Sequence, residues 1–330
     1  MSNNALIEVV ALNRYYGNHH VVKDYNLTLR KGEVLGLLGP NGAGKSTTMQ
    51  MLTGNISPSS GDIKINGIDL IEDPQQAKHS IGYLPEQPPI YRDMTPREFL
   101  KYCAVLHDIS KSNHKKFIDL AVDRCGLKEM SNRLIGNLSK GFQQRVGIAQ
   151  AILHQPEIVI LDEPTVGLDP IQILQIRELI RELGKDHSVV LSSHILPEVQ
   201  AVCDRVQIIN QGATVFSDTF SQLESRQHTS FVSVGFEEGG DKQSLEKLVG
   251  VENVEAFEVD NNKTRFLLRY AQSSSSDPDT SKIYQLAVAK NWKLNELSIH
   301  KETLEQIFMD LIHGEVAQKK VGEQEKAANE

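Results

Sequence analysis

Cysteine is scarce in this chain. Cys103, Cys125 and Cys203 are the three in 330 residues, far apart and without a C-x-x-C pair. That spacing excludes a disulfide framework or a thiolate metal site and fits reduced thiols in a core. Long apolar runs are also missing. No stretch approaches eighteen apolar residues, and MSNNALIEVV has neither a basic leader nor a signal-like apolar region. If the protein works at a membrane, the expectation is that another chain supplies the span. Dense Lys/Arg blocks are absent, and the net charge is −8. A nucleic-acid partner, whose phosphates demand a basic face, is therefore not expected. What remains is ordinary globular composition at a length that suggests about two domains.

Against that plain background one stretch stands out: Gly39-Pro40-Asn41-Gly42-Ala43-Gly44-Lys45-Ser46-Thr47. It has the spacing G-x-x-x-x-G-K-[ST] of a phosphate-binding loop. Glu33 to Leu38 before it reads as a buried strand, and Lys45 to Leu52 after it as a helix. Strand, glycine turn, helix is the context the motif requires. Glycines let successive backbone N–H groups wrap a phosphate, and the helix N-terminus adds partial positive charge. Lys45 then reaches the β- and γ-phosphates and the Ser46 hydroxyl ligates Mg²⁺. The reading is a nucleoside triphosphate site.

Around this loop the chain reads as alternating strands and helices. Strands are expected at Ile7 to Leu12 and Val21 to Leu29, with Tyr15, Tyr16 and Gly17 in the loop between. Further strands are expected at Ile63 to Ile65 and Ile81 to Pro85. Thr95-Pro96-Arg97-Glu98 is an N-cap, N1 proline and capping-box glutamate, so a helix starts there. Helical periodicity over Lys115 to Cys125 and Gln143 to Leu153 completes a helical subdomain at about 89–155. Strands follow at Ile158 to Leu161, Ser188 to Leu191 and Arg205 to Ile209, with a helix after Asp169-Pro170. Beyond Ser221 the order is strand Ser230 to Phe236, helix Leu245 to Val249, strands Val254 to Val259 and Arg265 to Tyr270, a helix through Ala289 and strand Leu294 to Ile299. That β-α-β-β-α-β order suggests a ferredoxin-like α+β domain. A helix is expected over Thr303 to Ile312. The domain expectation is 1–222, 228–313 and a disordered, charge-alternating tail at 314–330.

Two further segments carry chemistry. Ile158-Val159-Ile160-Leu161-Asp162-Glu163 is an apolar strand delivering two carboxylates at its end. Asp162 suits Mg²⁺, usually through water, and Glu163 suits a general base polarising water toward the γ-phosphate. An acidic loop after a strand is the plainer reading, displaced here by the upstream phosphate loop. Asn137-Leu138-Ser139-Lys140-Gly141-Phe142 starts a helix, where Ser139 and Gly141 form either an anion site or a simple N-cap.

Taken together, Gly39–Thr47, Leu138-Ser139-Lys140-Gly141-Phe142, Leu161-Asp162-Glu163-Pro164, Gly167-Leu168-Asp169 and His194 resemble, in order, the motifs of an ATP-binding-cassette (ABC) transporter ATPase subunit. The resemblance spans about Leu6 to Leu223. It implies an α/β P-loop cassette with a helical subdomain, binding ATP and Mg²⁺. It also implies a head-to-tail homodimer or paired cassette, each ATP lying between one phosphate loop and the partner's Ser139 helix. Tyr16 matches the aromatic that stacks on adenine. Asp169 matches the aspartate linking the two sites, although Asp-Pro is also a good N-cap pair. His194 matches the γ-phosphate histidine.

Two features depart from the family pattern. Lys140 and Phe142 replace a glycine and a glutamine of the signature, and Lys140 near an anion adds attraction. A gapless alignment puts Glu86, not Gln87, at the family's lever glutamine; a shift of one residue would restore Gln87. An ionised carboxylate accepts hydrogen bonds but donates none, so Glu86 would serve as a Mg²⁺ or water ligand. These variants resemble the exporter branch with a separate transmembrane permease subunit, which implies a peripheral protein on the cytoplasmic membrane face. The competing reading is a soluble cassette ATPase that regulates, or acts on nucleic acid or ribosomes. Such relatives usually carry two cassettes in one chain, or coiled-coil or zinc insertions, none of which is seen here.

Overall fold

The computed structural model describes residues 5–225, 230–260, 263–270, 280–301 and 303–312. The chain forms two units, Met1–Phe220 and Ser221–Glu330. The first begins with β1 (Ala5–Tyr16) and β2 (His19–Arg30), an antiparallel pair. In β2 the alternation is plain: Tyr25, Leu27 and Leu29 are buried while Asn26, Thr28 and Arg30 are exposed. A period of two turns one face of the pair to the core. Tyr15 and Tyr16 end β1 rather than sitting in the loop, because they pair with His20 and His19.

β3 (Val34–Leu38) leads into α1 (Lys45–Leu52), and β4 (Ser60–Ile65) joins β5 (Ile68–Asp69) through the turn Asn66-Gly67. α2 (Pro74–His79) precedes β6 (Ile81–Leu84). The helical subdomain holds α3 (Pro96–Leu106), α4 (Lys111–Arg124) and α5 (Lys140–Ile152). Thr95 and Glu98 make both bonds of the expected capping box. β7 (Ile158–Asp162), α6 (Pro170–Leu183), β8 (Ser188–Ser193), α7 (Leu196–Val202), β9 (Arg205–Asn210), β10 (Ala213–Thr219) and α8 (Phe220–Ser225) follow.

These strands make two sheets, β2-β1-β4-β5 and β10-β9-β3-β8-β7-β6. In the second, β9, β3, β8, β7 and β6 are parallel and β10 is an antiparallel edge. A parallel strand covered on both faces needs an apolar run. Ile158, Val159, Ile160 and Leu161 of β7 are each 0% exposed. Each such burial contributes about 1.5–3 kcal/mol. A charge at Ile160 would break the layer.

The second unit holds β11 (Ser230–Glu238), α9 (Lys242–Glu246), β12 (Val251–Asp260), β13 (Lys263–Tyr270), α10 (Ser281–Ala289), β14 (Lys293–Lys301) and a helix over residues 304–312. Its sheet order is β12-β13-β11-β14, antiparallel throughout. The crossovers skip one strand each, which is the split β-α-β arrangement. Val232, Val234, Phe236, Leu245, Phe266 and Ile283 lie in its own apolar core. α9 starts earlier than expected because Asp241 caps it, accepting hydrogen bonds from the N–H groups of Gln243 and Ser244. Short elements escaped the sequence reading altogether: β5, α2, α7 and β10. The expected tail at 314–330 lies outside the described residues.

Candidate active site

Register assembles the site. Leu38 pairs with Ser193, Ser192 with Asp162, and Leu161 with Leu84. The carboxyl ends of β3, β8, β7 and β6 therefore lie side by side, and each is followed by a residue singled out above. In parallel α/β sheets that edge is where ligands bind. A cavity of about 410 Å³ opens there, lined by Gly42, Lys45, Ser46, Glu86, Glu163 and His194 among others.

The phosphate loop owes its shape to glycine. Gly42 (φ 80°) and Gly44 (φ 105°) occupy left-handed conformations that L side chains resist. A Cβ on Gly44 would also lie 2.9 Å from the Val21 carbonyl oxygen. Gly44 caps α1, so the helix N-terminus faces the cavity without a competing side chain. Lys45 is 5% exposed. Its Nζ donates to the Gly39 carbonyl at 2.9 Å and the Pro40 carbonyl at 3.3 Å, and lies 3.3 Å from Glu163 Oε1.

Asp162 ends β7 and Glu163 follows it directly. Asp162 Oδ1 accepts from Ser192 Oγ at 2.5 Å and from Ser46 Oγ at 3.4 Å. Burial pushes the Asp162 carboxyl above its ordinary value; the two hydroxyls oppose this, and the neighbouring Glu163 and Glu86 charges add to it. A cation placed among these oxygens would reverse that balance. Glu163 is 6% exposed and Oε2 lies 2.9 Å from His194 Nδ1. Its φ of 47° is a left-handed conformation, which costs on the order of 1–2 kcal/mol for a residue with a Cβ. Such outliers persist where surroundings over-determine them. Ser192 is part of that determination, since its Oγ also accepts from the Glu163 N–H at 2.9 Å. Sequence reading missed Ser192, whose only signal is its place at the end of β8.

Of the other candidates, Glu86 shares this cavity and the rest fall elsewhere. Glu86 lines the cavity beyond β6. Tyr16 is half-exposed, with the Arg14 guanidinium 4.6 Å over its ring. A second cavity of about 280 Å³ is lined by Ser139, Gly141, Phe142, Arg145 and Asp169, among others. Ser139 caps α5, accepting from the Phe142 N–H at 3.4 Å, and Asp169 caps α6, accepting from the Gln172 N–H at 2.9 Å. Lys140 reaches back over Gly167, where a Cβ would lie 2.1 Å from its Nζ. The two cavities share no lining residue. One chain thus brings Lys45, Ser46, Asp162, Glu163, His194 and Glu86 together, and keeps Ser139, Lys140, Gly141 and Asp169 apart from them.

Known proteins share this chain's sequence and fold. Residues 22–166 match the ABC transporter family. The bacitracin transport ATP-binding protein BcrA of Bacillus licheniformis is 40% identical over 67% of this chain and 72% of its own length. The ABC transporter ATP-binding protein YcbN of Bacillus subtilis (strain 168) is 32% identical over 94% of this chain and 97% of its own. A solved ATP-binding subunit of an ABC transporter superposes with a TM-score of 0.61 at 32% identity, covering 67% of this chain and 92% of that one. The chain belongs to the ATP-binding subunits of ABC transporters, a family that binds and hydrolyses ATP. Subunits of this family work with separate membrane subunits. No helix among the described residues is long and apolar enough to cross a membrane.

Proposed function

We infer that this chain energises export through a separate membrane-spanning partner, working on the cytoplasmic face as a head-to-tail pair that closes on ATP. The observation that carries the chemistry is the carboxylate of Glu163, held between Lys45 and His194 on the wall of the phosphate-loop cavity. Phosphoryl transfer to water needs positioned charge more than covalent chemistry. Lys45 and the loop N–H groups neutralise the phosphates, Glu163 takes the proton of the attacking water, and His194 steadies Glu163 and the γ-phosphate. Tyr16 stacks on the adenine. The oxygens of Ser46, Asp162 and Glu86 form a hard donor set of the kind Mg²⁺ takes. A Mg²⁺ ion held by these oxygens would supply neutralisation of phosphate charge. Ser139, Lys140, Gly141 and Asp169 serve the partner's nucleotide, which the separateness of the two cavities supports. Export draws support from the likeness to BcrA, a protein named for bacitracin transport.

Replacing the base tests the reading. Glu163→Gln retains ATP binding and lowers turnover by roughly 10²–10⁴-fold, with an ATP-bound dimer trapped on gel filtration. Near wild-type turnover in that variant sinks the assignment.

A further inference from the structure

Glu198 carries a carboxylate that this chemistry does not use, and it is 4% exposed. A carboxylate withdrawn from water needs partners that satisfy it. Those partners come from three different segments. Its Oε2 accepts from Thr165 Oγ1 at 2.5 Å and from Ser193 Oγ at 3.2 Å. Its Oε1 lies 3.9 Å from Arg177 Nη2 of α6, the helix that Asp169 caps.

The sequence positions of these partners give the contact its meaning. Thr165 follows Glu163 by two residues, inside the turn closed by the Val166 N–H donating to the Glu163 carbonyl. Ser193 immediately precedes His194. At the end of β8, successive side chains point to opposite faces. Ser192 reaches Asp162 and the Glu163 N–H on one face, while Ser193 reaches Glu198 on the other. The Ser193 Oγ also accepts from the Ile195 N–H at 3.1 Å, which fixes the step around His194. The segment bearing the base and the segment bearing its histidine are thus tied to one buried carboxylate from α7.

We propose that Glu198 is a positioning residue, which joins Thr165 to Ser193 and so holds Glu163 and His194 at hydrogen-bonding distance. This rests on Glu163 being the general base. A displacement near 1 Å at a reacting group can lower the rate by about 10²-fold without touching substrate binding. The tether acts on the chemical step, and the phosphate loop, which holds the nucleotide, is outside it.

The test measures kcat, KM, nucleotide affinity and Tm on the full-length chain. Glu198→Ala lowers kcat by about 10- to 100-fold, with KM and the dissociation constant of a fluorescent ATP analogue within about twofold. Glu198→Gln keeps an acceptor oxygen for both hydroxyls and recovers kcat to within about threefold of the parent. Thr165→Val lowers kcat in the parent chain but has little further effect on Glu198→Ala, as expected of residues sharing one interaction. A merely structural role would move Tm, KM and affinity together, and Thr165→Val and Glu198→Ala would then act additively on kcat; either result overturns the proposal. If Glu198→Ala does not fold, Ser193→Ala and Thr165→Val carry the same expectation of lowered kcat at constant KM. Glu163→Gln run alongside separates the two failures. An active Glu163→Gln chain removes the base, whereas an inactive one beside a fully active Glu198→Ala chain removes only the tether.

Discussion

The two units differ in whether they bury charge, although both carry exposed ion pairs. In the first, ionised side chains are buried at the ends of parallel strands: the Lys45 and Glu163 side chains are 5% and 8% exposed at 3.3 Å separation. In the second, the pairs Lys293–Glu238, Lys242–Glu246 and Arg265–Glu296 lie on the surface, none with a side chain under about a third exposed. Exposed pairs are screened and contribute about 0–1 kcal/mol each. Sheet topology explains the contrast. Parallel strands reach their carboxyl ends on one edge, where loops gather several functional groups. Antiparallel strands send neighbouring ends to opposite edges. Charge buried in the first unit is therefore expected to matter for reaction, and charge in the second for solubility or contact with partners.

That contrast can be broken in four places, beyond the base substitution. The largest effect is expected at the Ser139 cavity, which in the proposed pair serves the partner's nucleotide. Ser139→Arg lowers turnover by about 10²–10³-fold, the size of losing one preorganised transition-state contact, while nucleotide binding persists. Mixing Ser139→Arg with Lys45→Ala chains leaves one mutant-free site per mixed dimer and restores part of the activity. A Ser139→Arg chain active as a monomer refutes sharing between copies.

Next in size is the carboxylate at the β6 end. Glu86→Ala raises the Mg²⁺ concentration for half-maximal ATPase by roughly tenfold, as expected when a hard cation loses one carboxylate ligand. Gln87→Ala leaves it unchanged. If only the Gln87 change matters, the lever position belongs to Gln87.

A smaller effect is expected in stability. Burial holds the His154 imidazole down at about 4, and the neighbouring His107 adds to this. Because the folded value lies below the unfolded one of about 6.5, the contribution is full above about pH 6.5 and is lost as pH falls toward about 4. Between about pH 7 and pH 5 the loss is on the order of 2 kcal/mol. Thermal melts across that range read it, and His154→Gln should flatten the slope. An unchanged slope excludes His154 as the source.

The smallest effect concerns the second unit, which we expect to regulate or dimerise. A chain ending after Ser225 binds ATP within about twofold of the full chain, since the residues proposed to hold the nucleotide lie in the first unit. Dimer stability or coupling to the membrane partner falls instead. Lost ATP binding in a folded truncation would end the distinction between the units.

Local signals made much of the first unit legible. The glycine spacing of the phosphate loop, the apolar run before Asp162 and the Thr95 capping box are each contained in fewer than ten residues. The start of α6 was readable for the same reason, from the Asp169-Pro170 pair. Short elements were not. α2 has six residues, too few for a periodic pattern, although Asp73-Pro74 is a cap and N1 signal. α7 hides behind Pro197, which is tolerated in its first turn. Among the described residues β10 pairs only with β9, and an edge strand needs no continuous apolar run.

By itself, then, the sequence determined the residue types and their spacing: a glycine loop ending in Lys45, two carboxylates after a buried strand, a serine and an aspartate at helix starts. Such features depend on backbone conformation and neighbours within one turn or strand. Only the tertiary structure decided their company. Register between β3, β8, β7 and β6 set Lys45, Ser46, Glu163, His194 and Glu86 around one cavity. It also placed Glu198 beneath them, 33 residues from Thr165 along the chain. Hydrogen bonds across such separations depend on which strands pair and in what register, and that is decided by the burial of whole faces.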